Sequence, residues 1–408
     1  MIATSPATSQ AVRVPTEPLG GLFIRFLHFG LLAWGGPVAQ IAMLRQTFVE
    51  EEKWVSSEHF NRVLALYQVL PGPEAHELCV YFGVLSRGRM GGILAGLGFM
   101  LPGFVLMFAL SWLYVRCGFG AAGSFGLAFA FVQAAVAALV VRAVHRIGSH
   151  VLLDPWLWAV ALMSFVAQLV GVHFSIALVA GGLIYMVAKH RAAAAVAVSA
   201  MLFVFVLVWS YRTGFQLQVP AANEASSAGP AASASFPQIF VSGLKAGLLT
   251  FGGAYTAIPL LQQDAVVEGT WMSNTQFLDG LALSGLLPAP LIIFATFVGY
   301  VGAGPLGALL ITIGVFAPAF AFTLVAHDPL ERLVHRPRIG IFLSGLVAAV
   351  VGLIAGTAVT LLIETLSSVQ VAVAFAAALF ALFYWNNRMI IPLTIAFAAA
   401  LGWAASFL

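Results

Sequence analysis

Midway through a strongly apolar stretch stands Gln68-Val-Leu-Pro71-Gly72-Pro73-Glu74-Ala-His76-Glu77. A helix cannot run through Pro-Gly-Pro, because each proline lacks an amide hydrogen and clashes with the turn before it. A half-helix restarting after Pro73 aims its free amides and the positive end of its dipole back at the break, a geometry that suits an anion. Glu74 and Glu77 stand three residues apart on one helical face with His76 offset, a carboxylate pair and an imidazole suited to carrying protons. The competing reading is a packing kink with its charges among lipid headgroups. A second constellation is Gly35-Gly36, echoed as Gly252-Gly253, where paired glycines permit close backbone approach or unwinding. His28 and Lys245 each precede their glycine pair by seven residues, about two helical turns, and Arg25 lies three residues before His28. Arg25 reads either as an anion ligand or as a residue reaching the headgroups. Arg45 offers a guanidinium for a tetrahedral oxyanion, or belongs with Glu50-Glu51-Glu52-Lys53 to a solvated connection that leaves Trp54 at the interface. Asp264 and Asp279 read as helix-end residues without a role.

The elements around these residues must be membrane helices. The chain has 408 residues, 61% of them hydrophobic, a mean hydropathy of +1.01, and 33 charged side chains, too few to cover a water-soluble fold of this size. It is expected to be an all-α polytopic protein embedded in lipid. The net charge of +3 is scattered, without the basic stripe that nucleic acid demands. Cys79 and Cys117 form no CxxC or His/Cys cluster, so no metal site, disulfide framework or cofactor is expected. No HExxH, serine triad or nucleotide loop is present, and the loops are too short for a soluble catalytic domain; an enzyme is not expected. Residues 1–19 read as a short polar tail without the features of a secretory signal.

Apolar stretches long enough to cross about 30 Å of hydrocarbon fall near 20–44, 62–86, 91–115, 121–143, 155–172, 173–188, 193–211, 238–262, 276–299, 304–326, 339–363, 369–385 and 389–407, about thirteen in all. A break is expected inside 62–86, at Pro71-Gly72-Pro73. Alternating the loops puts most Lys and Arg inside when the N-terminus is cytoplasmic and the C-terminus outside, with Arg45, Lys53, Arg62, Arg116 and Arg212 left on the outer face. Residues 212–237 form an Ala/Ser/Gly/Pro linker between a unit at 20–211 and one at 238–408. Sliding the second unit over the first by 217 positions aligns Gly35-Gly36 with Gly252-Gly253, Trp54 with Trp271, Pro71 with Pro288 and Pro73 with Pro290; after a one-residue slip, Gly83, Gly88, Gly91 and Gly98 meet Gly299, Gly304, Gly307 and Gly314. Helix 193–211 makes the parity odd, so the two repeats should enter the membrane from opposite sides, an architecture of secondary transporters with midplane sites built on broken helices. Pro288-Ala-Pro290 keeps the break but carries no charge.

Phe29-Gly30 through Gly35-Gly36, Trp54, and above all Gln68-x-x-Pro71-Gly72-Pro73-Glu74-Ala75 followed by Tyr81-x-Gly83 resemble the chromate ion transporter family in its long, duplicated form. The resemblance implies an inner-membrane carrier that expels chromate from the cytoplasm and confers resistance, driven by membrane potential or the proton motive force, with sulfate as the look-alike anion; a homodimer is left open. Sulfate or other oxyanion import or exchange is the alternative, and a passive anion channel a further one. His76-Glu77 stands where many relatives carry glutamines, and Pro288-Ala-Pro290 lacks the middle glycine.

Overall fold

The computed structural model describes residues 14–34, 36–118, 126–170, 172, 174–190, 234–250, 257–325, 337–366, 368–385 and 390–405, and among them no strand occurs. The first repeat comprises α1 (Leu19–Leu31), α2 (Gly36–Arg45) extended by a π-turn (Gln46–Glu51), α3 (Ser57–Val69), α4 (Glu74–Cys117), α5 (Gly126–Val151), α6 (Pro155–Leu169) and α7 (Phe174–His190). The second comprises α8 (Phe236–Leu248), α9 (Ala257–Gln262) with a π-turn (Gln263–Glu268), α10 (Asn274–Gly285), a 3-10 turn (Leu291–Ile293), α11 (Phe294–Leu324), α12 (Pro337–Thr365), α13 (Val369–Tyr384) and α14 (Ile390–Ala405).

The stretch expected to cross at 20–44 is instead two short helices. The 13 residues of α1 span about 20 Å, short of the hydrocarbon thickness. Beyond Leu31 the chain turns back, so that Phe26 stacks on Phe48 at 5.8 Å and Arg25 reaches Glu52 at 2.7 Å. The stretch 62–86 behaves alike. After the break at 70–73 the first limb of α4 returns along α3, bringing His59 to Tyr81 at 2.6 Å and Phe60 to Phe82 at 6.3 Å. In both places Gly-Gly or Pro-Gly-Pro frees backbone groups that a straight crossing would have to leave unpaired in lipid.

A second reversal lies inside α4, where Arg87 (φ −141°) and Gly88 (φ 61°, ψ −156°) leave helical geometry. Gly83 and Gly91 would stand about 12 Å apart along a continuous helix, yet a Cβ on either would strike the carbonyl oxygen of the other. The element is therefore a hairpin, with a short limb (74–86) and a limb long enough to cross the membrane (89–117). Gly88 has open space around it but a backbone conformation reserved for glycine.

The second unit repeats this plan, as the aligned glycines and prolines predict. The π-turns coincide in register, Lys53 and Thr270 share a positive φ, and Ser56 and Ser273 both cap their helices. The hairpin of α11 reverses at Ala303–Gly304 with Gly299 on Gly307. Trp54 is 2% exposed, not interfacial as expected, because the returning chain folds it under Phe48 at 4.6 Å and the Arg25 guanidinium at 5.7 Å; Trp271 is buried likewise.

The repeats meet along the long limbs of α4 and α11, which run antiparallel: Gly92 faces Leu324 and Gly96 faces Phe320. The contacts are reciprocal, with Gly72 against Ala319 and the counterpart pair, Ala289 against Gly103. Small residues allow this approach where lipid removes any hydrophobic drive between helices. Glu74–Cys117, Gly126–Val151, Leu291–Leu324 and Arg338–Ile363 are long and apolar enough to cross, so the chain is a multi-pass membrane protein. The expected helix at 193–211 and nearly all of the expected linker lie outside the described residues.

Asp154 caps α6 from the α5–α6 loop, accepting from the amides of Trp156 and Leu157 at 2.9 and 3.0 Å and from the Tyr185 hydroxyl at 2.6 Å, with the Lys189 ammonium at 3.5 Å. Desolvation raises its pKa, but these donors together outweigh it and hold the carboxyl below its ordinary value. Asp154→Ala is expected to cost about 1 kcal/mol at neutral pH. Because the native pKa is the lower one, the gap in melting temperature between the two proteins should close as pH falls below about 3.9, a trend measurable by intrinsic fluorescence in detergent. Gly88→Ala should lower the yield of folded protein despite the open space, while Gly83→Val should abolish folding by prising the hairpin apart; size-exclusion profiles of both variants check this.

Candidate functional site

The two breaks lie where the repeats touch. Helix α3 stops because Leu70, preceding a proline, takes an extended conformation (ψ 152°). Gly72 adopts φ 151°, and α4 then starts after Pro73, whose carbonyl accepts from the amides of His76 at 2.8 Å and Glu77 at 3.1 Å. The amides at the very start of α4 precede its first turn and face the break. The Gly72 amide donates to the Thr250 carbonyl at 2.8 Å, and the Thr250 hydroxyl donates back to Ala246 at 2.5 Å. The break of the first repeat is thus tied to the end of α8, next in sequence to Phe251-Gly252-Gly253; Gly252 and Gly253 themselves, like Gly35, lie outside the described residues. The counterpart amide on the other side, that of Ala289, stays within its own repeat and donates to the Leu287 carbonyl at 2.9 Å. Ser284, Leu287, Ala289 and Leu291 around Pro288 and Pro290 line a cavity of about 20 Å³ with Trp34, Gly36 and Leu139. That volume holds one water-sized group and excludes a tetrahedral oxyanion.

None of the three ionisable residues after Pro73 lies at a solvated helix end. Glu74 is 6% exposed, and His76 and Glu77 are fully buried. The Glu77 carboxyl packs on the Gly72 backbone, so that a Cβ at Gly72 would come within 2.8 Å of its Oε1. The His76 ring lies between Phe316 at 4.8 Å and Phe320 at 4.7 Å, both from the second repeat. Neither His76 nitrogen and neither Glu77 oxygen has a hydrogen-bond partner among the described residues. Polar atoms buried in this way cost several kcal/mol each.

The basic candidates are placed elsewhere. Arg25 joins Glu17 at 2.6 Å and Glu52 at 2.7 Å at the end of its hairpin remote from the break. Arg45 is exposed beside Glu50 at 3.7 Å and Asn61 at 3.3 Å, and Lys245 pairs with Asp264 at 3.3 Å. His28 and Gln68 are exposed, whereas Pro71 to Pro73 are largely enclosed. The structure therefore brings together Pro71, Gly72, Pro73, Glu74, His76 and Glu77, and does not bring Arg25, Arg45 or Lys245 to them. Each arginine found a nearer carboxylate, a preference that spacing along the chain does not reveal.

Asp279 is a finding that the helix-end reading missed. It lies inside α10, fully buried, and accepts from the Tyr114 hydroxyl at 2.8 Å and the Gln133 amide at 2.7 Å. The signal was present in Phe277-Leu278-Asp279-Gly280-Leu281, an acid within an apolar run. Among the described residues no three His, Cys, Asp or Glu side chains gather as a metal site, and Cys79 and Cys117 are free thiols.

The sequence profile described as chromate transporter matches residues 20–212 and again 237–403. The chain belongs to this family. A chromate transport protein of Pseudomonas aeruginosa is 54% identical over 97% of this chain and 94% of its own length. The chromate transport protein of Cupriavidus metallidurans is 30% identical over 98% and 97%, and a probable chromate transport protein of Synechococcus elongatus 28% identical over 95% and 96%. No solved structure matches. The double match of the chromate transporter profile bears out the duplication read from the glycines, and it points to a transporter rather than an enzyme.

In this family member Gly72 carries two separable demands, a conformation closed to side chains and contact with Glu77. Gly72→Ala is expected to keep its membrane expression yet lose transport at least about tenfold, since strain of this kind costs about 1–3 kcal/mol. Adding Glu77→Ala should relieve the clash but not the strain, so chromate flux in vesicles should recover only in part.

Proposed function

We propose that the protein is a secondary transporter that exports chromate from the cytoplasm across the inner membrane, thereby conferring resistance, with the two repeats inverted and rocking against one another about the paired breaks. The observation that carries this reading is the bond from Gly72 to Thr250, which joins the Pro-Gly-Pro break of one repeat to the segment before the glycine pair of the other. In this reading the first amides of α4, with Gln68, Pro71, Gly72 and Pro73, and with Gly35, Gly36, Gly252, Gly253, Pro288 and Pro290, enclose the anion midway across. His28, Arg25, Arg45 and Lys245 draw it towards the mouths. The narrow cavity beside Ala289 corresponds to a closed stage, and opening requires the repeats to separate.

The antiparallel long limbs of α4 and α11 support inversion. The returning hairpins support a cytoplasmic N-terminus. If each hairpin goes back to the side it came from, then Arg45, Lys53 and Arg62 leave the outer face. Among the described residues Arg25, Arg45, Lys53, Arg62, Arg87, Arg89, Arg142, Arg146, Lys189 and Arg338 then share one side, Arg116 takes the other, and Lys245 lies between. That is the excess of a cytoplasmic face. The same topology has fewer full crossings than thirteen and leaves the C-terminus outside if 193–211 is a crossing helix.

A divalent anion leaving towards a positive exterior gains about 4.6 kcal/mol per 100 mV, so membrane potential alone drives export, and Glu74, His76 and Glu77 add coupling to protons. Inside-out vesicles should accumulate radiolabelled chromate saturably when a potential, positive inside the vesicle, is imposed, and Glu77→Gln should flatten the dependence of that uptake on pH. Accumulation of sulfate without chromate would replace detoxification by sulfate transport on the same fold.

A further inference from the structure

The buried cluster of Asp279, Tyr114 and Gln133 belongs to neither break. It joins three helices and both repeats: Tyr114 sits near the end of the long limb of α4, Gln133 on α5, and Asp279 on α10, the half-helix that leads to Pro288. Both carboxylate oxygens are used, Oδ2 by the tyrosine hydroxyl and Oδ1 by the glutamine amide. We propose that this cluster is a proton-sensitive latch that closes the face bearing Arg116, the outer face in the topology proposed above, and that protonation of Asp279 releases α10 and opens the path to the breaks from that side.

The repeats themselves supply the contrast. In the 217-residue register Asp279 matches Arg62, which is exposed on α3, and further on, where Ala134-Ala135-Val136 and Leu139 meet Ala348-Ala349-Val350 and Leu353, Gln133 matches Val347. One face therefore has a carboxylate held by two donors, while the equivalent place on the other has a solvated arginine and a valine. The two ends of the pathway are closed by different chemistry. An ionised carboxylate accepts from both donors at once, and charge-assisted bonds of this kind are about twice as strong as neutral ones. Once protonated, it must spend one oxygen as a donor and face a tyrosine hydroxyl and an amide that are themselves donating, so the join weakens.

Several groups of the described residues lie around Asp279. From α4 comes Tyr114, with Arg116 two residues on but exposed and turned over Trp112 at 5.8 Å; from α5 comes Gln133; from α11 comes Phe297, 5.0 Å from the Tyr114 ring. Helix α14 reaches α10 through Ile395 on Gly285 and carries no ionisable residue, and the rest of α10 carries none either. Asp279 is the carboxyl of this cluster, joined to Tyr114 and Gln133.

The test uses the full chain with Cys117→Ala and a single introduced thiol, Leu287→Cys, at the break that α10 covers. Intact cells are treated with a membrane-impermeant maleimide. Rates are taken relative to a fully exposed reference thiol at the same pH, because the reacting thiolate becomes scarcer as pH falls; on that scale labelling should be slow at pH 7.5 and about tenfold faster at pH 5.5, the shift expected from losing one bond to a charged group. Asp279→Asn, which cannot satisfy both donors, should label fast at both values, and Tyr114→Phe should lie between while keeping some response to pH. Slow, pH-independent labelling of Asp279→Asn would overturn the latch. If Asp279→Asn does not fold, Tyr114→Phe and Gln133→Leu decide the matter: wild-type labelling in both rejects the proposal. The readout needs no substrate, so it stands apart from whether chromate is the anion carried; fast labelling from inside-out vesicles only would instead reject the assigned face.

Discussion

Backbone groups in hydrocarbon must be paired, and the architecture follows from how this chain pairs the groups freed by its own breaks. Pro-Gly-Pro and Gly-Gly each interrupt a helix, between α3 and α4 and between α1 and α2. The first repeat alone does not close these openings: the Gly72 amide finds its acceptor at Thr250, in the second repeat. The second repeat answers with Ala289 against Gly103 while Gly72 meets Ala319. Two broken scaffolds thus complete one another, and the same exchange of contacts gives an interface that can be remade in a second arrangement, as bistable packed interfaces allow.

Duplication makes the scaffold symmetric, whereas charge makes it directional. Glu74, His76 and Glu77 follow one break, and leucine and isoleucines follow the other. At the repeat-equivalent position of the second repeat a buried aspartate replaces a solvated arginine. A perfectly symmetric pair of halves would treat both sides of the membrane alike. The few titratable residues retained in the interior are therefore where direction and energy coupling can enter.

Much of this was legible in the sequence. Paired glycines and prolines at a fixed offset announced the repeat, and Pro-Gly-Pro announced a break, because these residues impose backbone geometry locally. The fold-back of α1 on α2 and of α3 on α4 was not legible, since hydropathy reports how apolar a stretch is and not whether it turns back; 20–44 reads alike as one crossing or two half-helices. Trp54 looked interfacial because tryptophan favours headgroups, yet returning chain buried it against Phe48. Arg25, Arg45 and Lys245 were sensible anion ligands by type, but each sits beside a carboxylate, Glu17 and Glu52, Glu50, and Asp264, that the folded chain brings to it. Asp279 was overlooked because its partners lie 165 and 146 residues away.

The central claim is that the paired half-helices return to the side from which they came and meet at mid-depth. Lys53→Cys, in a background where Cys117 is alanine, tests it directly, because Lys53 lies between the two hairpins and would be extracellular if 20–44 were a simple crossing. Labelling with an impermeant thiol reagent in inside-out vesicles and protection in intact cells is the predicted result. Labelling in intact cells would contradict it, and with it the meeting of the two breaks.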